Sequence, residues 1–350
     1  MSQWLPNRRR FLIWAGSVAG ACIVLAVAAA VILLFVPQFW HAQAEARQVT
    51  IARGMNLAQI ARLLKEEGIV TDSRVFLLAT KLLRAEARLK AGRYRLSPRL
   101  SHFRIVDLLR KGRVTAEWVS IPEGAESWTV ASILARTLEV DSAAFIALTR
   151  DTSLLRELAV DASSLEGYLY PSTYQFYWGA APEVVIRTMV REFWRQMGDS
   201  VQAGAQAMGM TLHQVVTLAS IIEGEVMLDA ERPLISAVYH NRLRLRMPLQ
   251  ADPTIQYLVP GRGRRLLKRD LAVDSPYNTY LYPGLPPGPV NNPGMASIVA
   301  ALHPAPVDYL YLVARGDGGH VFSRTLREHL RAKERFDQVR RQVQAAQRQR

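Results

Sequence analysis

The sequence has a single cysteine, Cys22, among its 350 residues. An intramolecular disulfide is therefore excluded, and so is a zinc site built from several cysteines. The seven histidines are scattered and lack the spacing of metal ligands. We therefore expect neither a metal nor another cofactor.

Acidic residues are fewer than basic ones: 30 Asp and Glu stand against 44 Lys and Arg, so the formal net charge is +14. Such a balance indicates an acidic partner, which could be nucleic acid, anionic lipid or an anionic polymer. Three catalytic motifs are missing, namely the Gly-x-Ser-x-Gly elbow, His-Glu-x-x-His and the phosphate-binding loop. Carboxylate chemistry is what remains.

Charged residues are absent from one long apolar run, residues 11–36. As a helix it would measure roughly 39 Å, which is enough to cross a hydrocarbon core of ~30 Å with tilt. Arg8, Arg9 and Arg10 precede it, so residues 1–10 are predicted to be cytoplasmic and the rest of the chain extracytoplasmic. A cleaved signal peptide is the alternative, but its apolar run would be shorter. This orientation argues against a nucleic-acid partner.

The remaining chain alternates strand and helix patterns, which predicts an α+β fold. Residues 37–48 form a linker, and residues 49–118 a small subdomain in which Asn56 and Gln59 make a capping box. Residues 119–330 are predicted to form a larger mixed α/β catalytic domain, followed by a basic helical tail, residues 331–350.

Two glutamates stand out near the end of a helix predicted to start at Thr211. Glu223 and Glu225 lie about 200° apart around the helix, yet both fall inside its wide apolar arc. Burial would raise the pKa of either carboxyl and suit it to general acid catalysis. The alternative is a structural ion pair with an arginine, and the periodicity does not choose between the two glutamates.

An ordered set of motifs resembles the YceG/MltG-like family of endolytic murein transglycosylases. The matching stretches are residues 165–174, 219–225, 241–243, 249–254, 275–280, 284–289, 292–294, 301–304 and 319–323. The resemblance covers nearly the whole chain. It implies that residues 49–112 are similar to a LysM-like glycan-binding subdomain. One departure is Gly224, where the family often has lysine; a glycine costs a helix about 1 kcal/mol relative to alanine, so the helix could end or bend there.

The resemblance implies a catalytic role for Glu223, with Glu225 as the secondary candidate. The enzyme would cleave the β-1,4 bond between N-acetylmuramic acid and N-acetylglucosamine within nascent strands. The 6-hydroxyl of the muramyl residue would attack, so that a 1,6-anhydro end forms and one carboxyl suffices to give and take the proton. The residues expected to contact sugars are polar or aromatic: Glu166, Tyr168, Tyr170, Gln250, Asp252, Tyr257, Tyr277, Asn278 and Tyr280.

The predicted function is thus an enzyme held in the cytoplasmic (inner) membrane by one helix, which acts on peptidoglycan on the periplasmic side and terminates strand elongation. Penicillin-binding proteins are the protein partners that the resemblance suggests. Two alternatives stay open, a glycan-binding scaffold without catalysis and a hydrolytic muramidase that uses Glu223 with a second carboxylate such as Asp252.

Overall fold

The computed structural model describes residues 7–37, 45–112, 115–259, 264 and 266–348. The chain divides into two compact units. The first comprises Met1–Glu117 and Tyr177–Gly179, and the second comprises Trp118–Phe176 and Ala180–Arg350. Most of the predicted linker and residues 1–6 of the predicted cytoplasmic segment lie outside the described residues. The domain boundaries given above remain predictions.

The chain begins with a long helix, α1 (Asn7–Phe35). Its stretch Ser17–Phe35 is long and apolar enough to cross a membrane, and none of the stretch is buried in the protein. The structure therefore contains a helix that fits the predicted anchor. The kind of membrane and the orientation of the chain in it remain predictions.

The first unit continues with a strand, two helices and a second strand. These are β1 (Arg47–Ile51), α2 (Leu57–Glu66), α3 (Ser73–Leu82) and β2 (Gly92–Leu96), followed by α4 (His102–Lys111). The two strands pair in antiparallel fashion, with Val49 opposite Tyr94. Both of these side chains are buried in the apolar core of the unit.

Local signals in the sequence account for these helices. Asn56 accepts a hydrogen bond from the backbone of Gln59, and the Gln59 side chain accepts one from the backbone of Asn56, so the predicted capping box is confirmed. Ser101 caps α4, which ends at Gly112 in the left-handed conformation (φ 67°). The likeness of this unit to LysM modules remains a prediction.

The second unit is predominantly helical and contains two small two-stranded sheets. Its elements are β3 (Ala116–Ser120), α5 (Ser127–Leu138), α6 (Ser142–Leu148), α7 (Thr152–Glu157), β4 (Thr173–Tyr177), α8 (Pro182–Ala207), α9 (Leu212–Glu225), α10 (Arg232–Arg244), α11 (Asp252–Leu258), α12 (Met295–Leu302), β5 (Tyr311–Ala314), β6 (His320–Ser323) and α13 (Leu326–Arg348). Strand β3 pairs with β4, and β5 pairs with β6. The α+β class is confirmed.

Helix α9 lies at the centre of this unit. Eight consecutive residues, from Val215 to Ile222, are buried, which explains why its apolar arc is so wide. It begins where predicted, at Thr211, which forms a capping box with Gln214. The helix continues through Gly224 and ends one residue later, at Glu225.

A buried asparagine, Asn292, holds the irregular chain beside α9. Its Nδ2 donates to the carbonyl of Ala125 (2.8 Å) and to Glu166 (3.1 Å), and its Oδ1 accepts from the backbone N–H of Leu169 (2.9 Å). The side chain is completely buried. Three segments that are distant in sequence therefore depend on one amide group.

Replacing Asn292 by alanine should lower the free energy of unfolding by about 2–3 kcal/mol, because it leaves buried polar groups without partners. Equilibrium unfolding in urea of the full-length protein in detergent measures this loss. Gln206→Ala, on the exposed face of α8, is the control and should change stability by less than about 0.5 kcal/mol. Equal stability of the two variants would contradict the role given to Asn292.

Candidate active site

The two glutamates at the end of α9 have different surroundings. Glu223 is nearly buried and forms an ion pair with Arg232, at 2.9 Å between Oε2 and Nη1. The same oxygen accepts a hydrogen bond from the backbone N–H of Gly294 (3.2 Å). Arg232 is in turn held by Ser297 and Asp229. Oε2 of Glu223 thus has two partners within the chain, Arg232 and the backbone of Gly294.

A second carboxylate, Glu123, approaches the same region. It packs against Gly294 so closely that a methyl group on that glycine would overlap its carboxyl oxygens. Partial burial raises the pKa of Glu123, and the charge of Glu223 raises it further. Glu123, Glu223 and Arg232 thus form a charged cluster. Its ion pair between Glu223 and Arg232 is of the kind that the sequence left open as an alternative to a catalytic role.

Glu225 instead lines a cavity of about 490 Å³. Polar and charged side chains form most of its walls, and the lining includes Glu225, Tyr239, Arg242, Gln250, Asp252, Tyr280, His320, His329 and Lys333. These residues come from six separate stretches of the second unit. A cavity with several convergent polar groups is the usual form of a ligand site.

The carboxyl of Glu225 holds its proton far more tightly than an ordinary glutamate. Burial raises its pKa to about 8, and the negative charge of Asp252 raises it further. Arg242 and a hydrogen bond from Tyr239 act in the opposite direction and are too weak to cancel this effect. At neutral pH, Glu225 is therefore a protonated acid that faces a cavity, as general acid catalysis requires.

Asp252 reaches the cavity because two loop segments are joined by hydrogen bonds. The backbone N–H of Gln250 donates to the carbonyl of Thr279 (3.0 Å), and that of Ala251 donates to the Thr279 hydroxyl (3.0 Å). This pairing places the Tyr280 hydroxyl 2.6 Å from Oδ1 of Asp252. Gln250 adopts a left-handed conformation (φ 49°), which costs energy in a residue other than glycine and is common at functional sites.

Close packing at Gly224 brings Asp252 towards Glu225. An added Cβ at Gly224 would lie 2.6 Å from Cβ of Pro253. No ordinary side chain fits in this gap without movement of the rigid proline ring. The N-terminus of α11 can therefore approach the last turn of α9 closely.

Six residues predicted to contact sugars do not line the cavity, because their side chains are packed inside the unit. Glu166 accepts hydrogen bonds from the backbone of Ser127 and from Asn292. Asn278 is completely buried, and its side chain binds the carbonyls of Leu271 and Val273. Both side chains complete the hydrogen bonding of buried backbone.

The tyrosines in this set are also packed inside the unit. Tyr168 binds Nδ1 of His213 through its hydroxyl (2.8 Å), and Tyr170 is buried. Tyr257 and Tyr277 are half-buried and contact one another, with ring centroids 5.2 Å apart. Of the nine predicted sugar contacts, the cavity therefore gathers Gln250, Asp252 and Tyr280.

Sequence patterns did not single out several residues of this region, and Arg232 and His320 are two of them. Arg232 precedes a proline at the start of α10, and His320 begins β6 after a glycine-rich turn. Only the motif around His320 gave a signal, since residues 319–323 belong to the family pattern. Among the residues that the structure describes, no group of His, Cys, Asp or Glu side chains could hold a metal ion.

The raised pKa of Glu225 predicts a stability change with pH. Below about pH 4.5 the carboxyl is protonated in the folded and the unfolded chain. Between that pH and about 8, ionisation favours the unfolded chain, so the wild type loses stability as the pH rises. Glu225→Gln removes this loss and should be more stable than the wild type by about 1–3 kcal/mol at pH 8.5, with no gain at pH 4.5.

Thermal unfolding of both proteins across this pH range measures the effect. Glu157→Gln is the matched control, because Glu157 is exposed and its partner Arg187 lowers its pKa. That variant should show no gain at high pH. A Glu225→Gln curve parallel to the wild type would refute the raised pKa.

Known proteins of one family are similar to this chain over most of its length. A model of the YceG-like family matches residues 49–335. An endolytic murein transglycosylase of Bacillus subtilis is 33% identical over 306 residues, which cover 82% of this chain and 84% of that protein. One from Streptococcus pneumoniae is 30% identical over 327 residues, which cover 81% of this chain and 58% of that protein.

A solved structure of a YceG-like protein is also similar to this chain. The 2.6 Å crystal structure of a protein from Listeria monocytogenes described as YceG-like shares 32% sequence identity with this chain. The TM-score is 0.58, and the match covers 83% of this chain and 99% of the other. The chain therefore belongs to the YceG-like family and is a lytic transglycosylase.

Proposed function

We propose that this protein cuts murein glycan strands from within, using Glu225 as the general acid. The observation that carries this choice is that Glu225 lines a cavity together with Asp252 and Tyr280. Because its pKa is about 8, Glu225 holds a proton at neutral pH and can donate it. The names of the relatives support murein as the substrate.

The proposed reaction needs one proton donor on the leaving group. Glu225 would protonate the oxygen that links N-acetylmuramic acid to N-acetylglucosamine. The muramyl 6-hydroxyl would then displace this oxygen from the anomeric carbon. The product is a 1,6-anhydro-muramyl end, and no water is consumed. Gln250, Asp252 and Tyr280 would bind the sugar hydroxyls around the bond that breaks.

Glu225 is preferred here to Glu223, which the family resemblance suggested. Oε2 of Glu223 is paired with Arg232 and with the backbone of Gly294, so that only the other oxygen is without one of these partners. Glu225 has no arginine at ion-pairing distance among the described residues, and it borders open space. We therefore assign Glu223 to the support of the site.

The remaining parts of the chain suit action close to a membrane. Helix α1 would anchor the protein in the cytoplasmic membrane, with its N-terminus inside and the two units on the periplasmic side. The first unit would hold a glycan strand in the manner of a LysM module. The net charge of +14 suits an anionic polymer such as peptidoglycan. Peptidoglycan synthases would be the neighbouring proteins that supply nascent strands.

Paired variants test the assignment of the acid. The full-length protein in detergent is incubated with uncrosslinked glycan strands, and the products are analysed by mass spectrometry. Glu225→Gln should reduce the rate by about 100-fold or more without loss of stability. Glu223→Gln should lower the free energy of unfolding by about 3 kcal/mol, because it leaves Arg232 buried without its partner, while folded molecules keep most of their activity.

The products and the two rates separate the possible functions. Anhydro ends from the wild type support the transglycosylase, reducing ends would indicate a muramidase, and intact strands a scaffold. A folded but inactive Glu223→Gln variant beside an active Glu225→Gln variant would return the catalytic role to Glu223.

The charge of Asp252 predicts a shift in the pH profile. Because this charge raises the pKa of Glu225, Asp252→Asn should lower that pKa. A general acid is lost as the pH rises through its pKa, so the alkaline limit of activity should move to lower pH by about one pH unit. Asp274→Asn is the matched control, since Asp274 also accepts from a tyrosine (Tyr282, 2.7 Å) but does not line the cavity. An unchanged limit in Asp252→Asn would contradict the coupling.

A further inference from the structure

A histidine and a carboxylate form a pair at the wall of the cavity that holds Glu225. Nδ1 of His320 lies 2.7 Å from Oε2 of Glu231. The backbone N–H of His320 donates to both oxygens of the same carboxylate, at 3.0 and 3.1 Å. Both side chains are nearly buried. The pair is thus held by three contacts and has a single orientation.

This arrangement fixes the position of the proton on the imidazole ring. A carboxylate only accepts hydrogen bonds, so Nδ1 of His320 must carry the hydrogen. In the neutral ring, Nε2 then has a free lone pair. Within the described part of the chain no group hydrogen-bonds to Nε2, and this atom is not buried. His320 lines the cavity, so an acceptor of protons is available there.

The reaction proposed above contains a proton that has no assigned destination. When the 6-hydroxyl attacks the anomeric carbon it must lose its hydrogen. The leaving oxygen departs from the same face of the sugar that O6 attacks, so departure comes first and would leave the new hydroxyl beside the Glu225 carboxylate. A second group in the same cavity would accept the proton of the 6-hydroxyl without displacing that leaving hydroxyl.

On the basis of the proposed function, we propose that His320, oriented by Glu231, is the base that accepts the proton of the muramyl 6-hydroxyl. The bond to the leaving oxygen breaks first, and the bond from O6 to the anomeric carbon then forms on the same face. Glu225 gives its proton to the leaving oxygen, and Nε2 of His320 receives the proton from O6. Exchange with solvent then returns His320 to the neutral form and Glu225 to the acid, so each turnover is balanced.

Other charged groups face the same space and belong to the pH dependence. Glu225, Asp252, Arg242, His329 and Lys333 line the cavity with His320. Arg315 and Asp317 form an ion pair in the turn that precedes β6 and His320. Glu231 contacts the imidazole of His320 directly, so its replacement gives the most specific test.

The test compares pH–rate profiles of the full-length protein on uncrosslinked glycan strands. The proposed reaction requires a base that is free to accept a proton and an acid that still holds one, so the activity of the wild type should fall at both ends of the pH range. His320→Gln should lower kcat by about 100-fold or more and abolish the acidic limb, while the alkaline limb remains. Glu231→Gln should act similarly, because an amide that donates to Nδ1 moves the ring hydrogen to Nε2.

Two further measurements separate a catalytic from a structural role. Added imidazole should restore part of the activity of His320→Ala, whereas it cannot repair a packing defect. His303→Gln, at an exposed histidine outside the cavity, is the control and should keep the wild-type rate and profile. Melting temperatures identify any variant that fails to fold.

An acidic limb that persists in both His320→Gln and Glu231→Gln would overturn this inference, and so would a lack of rescue by imidazole if these variants are inactive. The proposed function fails in a different way, namely when the wild type yields no anhydro ends or when Glu225→Gln keeps its activity. Anhydro ends from a wild type whose His320 variants are unaffected would leave the proposed function intact and remove the base.

Discussion

The long irregular segment between α11 and α12 must satisfy its buried backbone groups without a helix or a sheet. Three asparagines do most of this. Asn278 closes the turn that carries Tyr280, Asn291 donates to the carbonyl of Ser220 in α9, and Asn292 binds the backbone just before α5 and shortly before β4. Because these side chains are buried, they fix the described part of the segment, which brings Tyr280 to the cavity and pairs with the backbone of Gln250. These hydrogen bonds position the loop from which Tyr280 reaches the cavity, so the arrangement of the charged residues depends on them.

The same contacts explain what could be predicted from the sequence. The capping box at Asn56 and the start of α9 at Thr211 depend on neighbouring residues, so local patterns identified them. Helix α11 was missed because it has only seven residues and begins with Asp252-Pro253 in a segment rich in proline and glycine. The role of Asn278 depends on carbonyls that only the fold brings near, and its residue type suits a sugar contact equally well.

The choice between Glu223 and Glu225 lay beyond any helical pattern. Both are on the apolar arc of α9, and their difference comes from α10 and α11, which bring Arg232 to one and Asp252 to the other. Glu225 also occupies the last position of α9, where the partial negative charge of the helix end disfavours a carboxylate. Burial, a like charge and the helix end therefore act together to keep its proton, at a cost in stability at high pH.

Gly224 separates the two acids and has no side chain, yet it determines how near α11 can approach. Asp252 immediately precedes the proline that contacts this glycine, so the strength of the electrostatic coupling to Glu225 follows from backbone packing. A larger side chain at this position would require a wider gap between α9 and α11 and would weaken this coupling, since it declines with distance. A residue without a side chain thus helps to set the pH range over which Glu225 holds its proton.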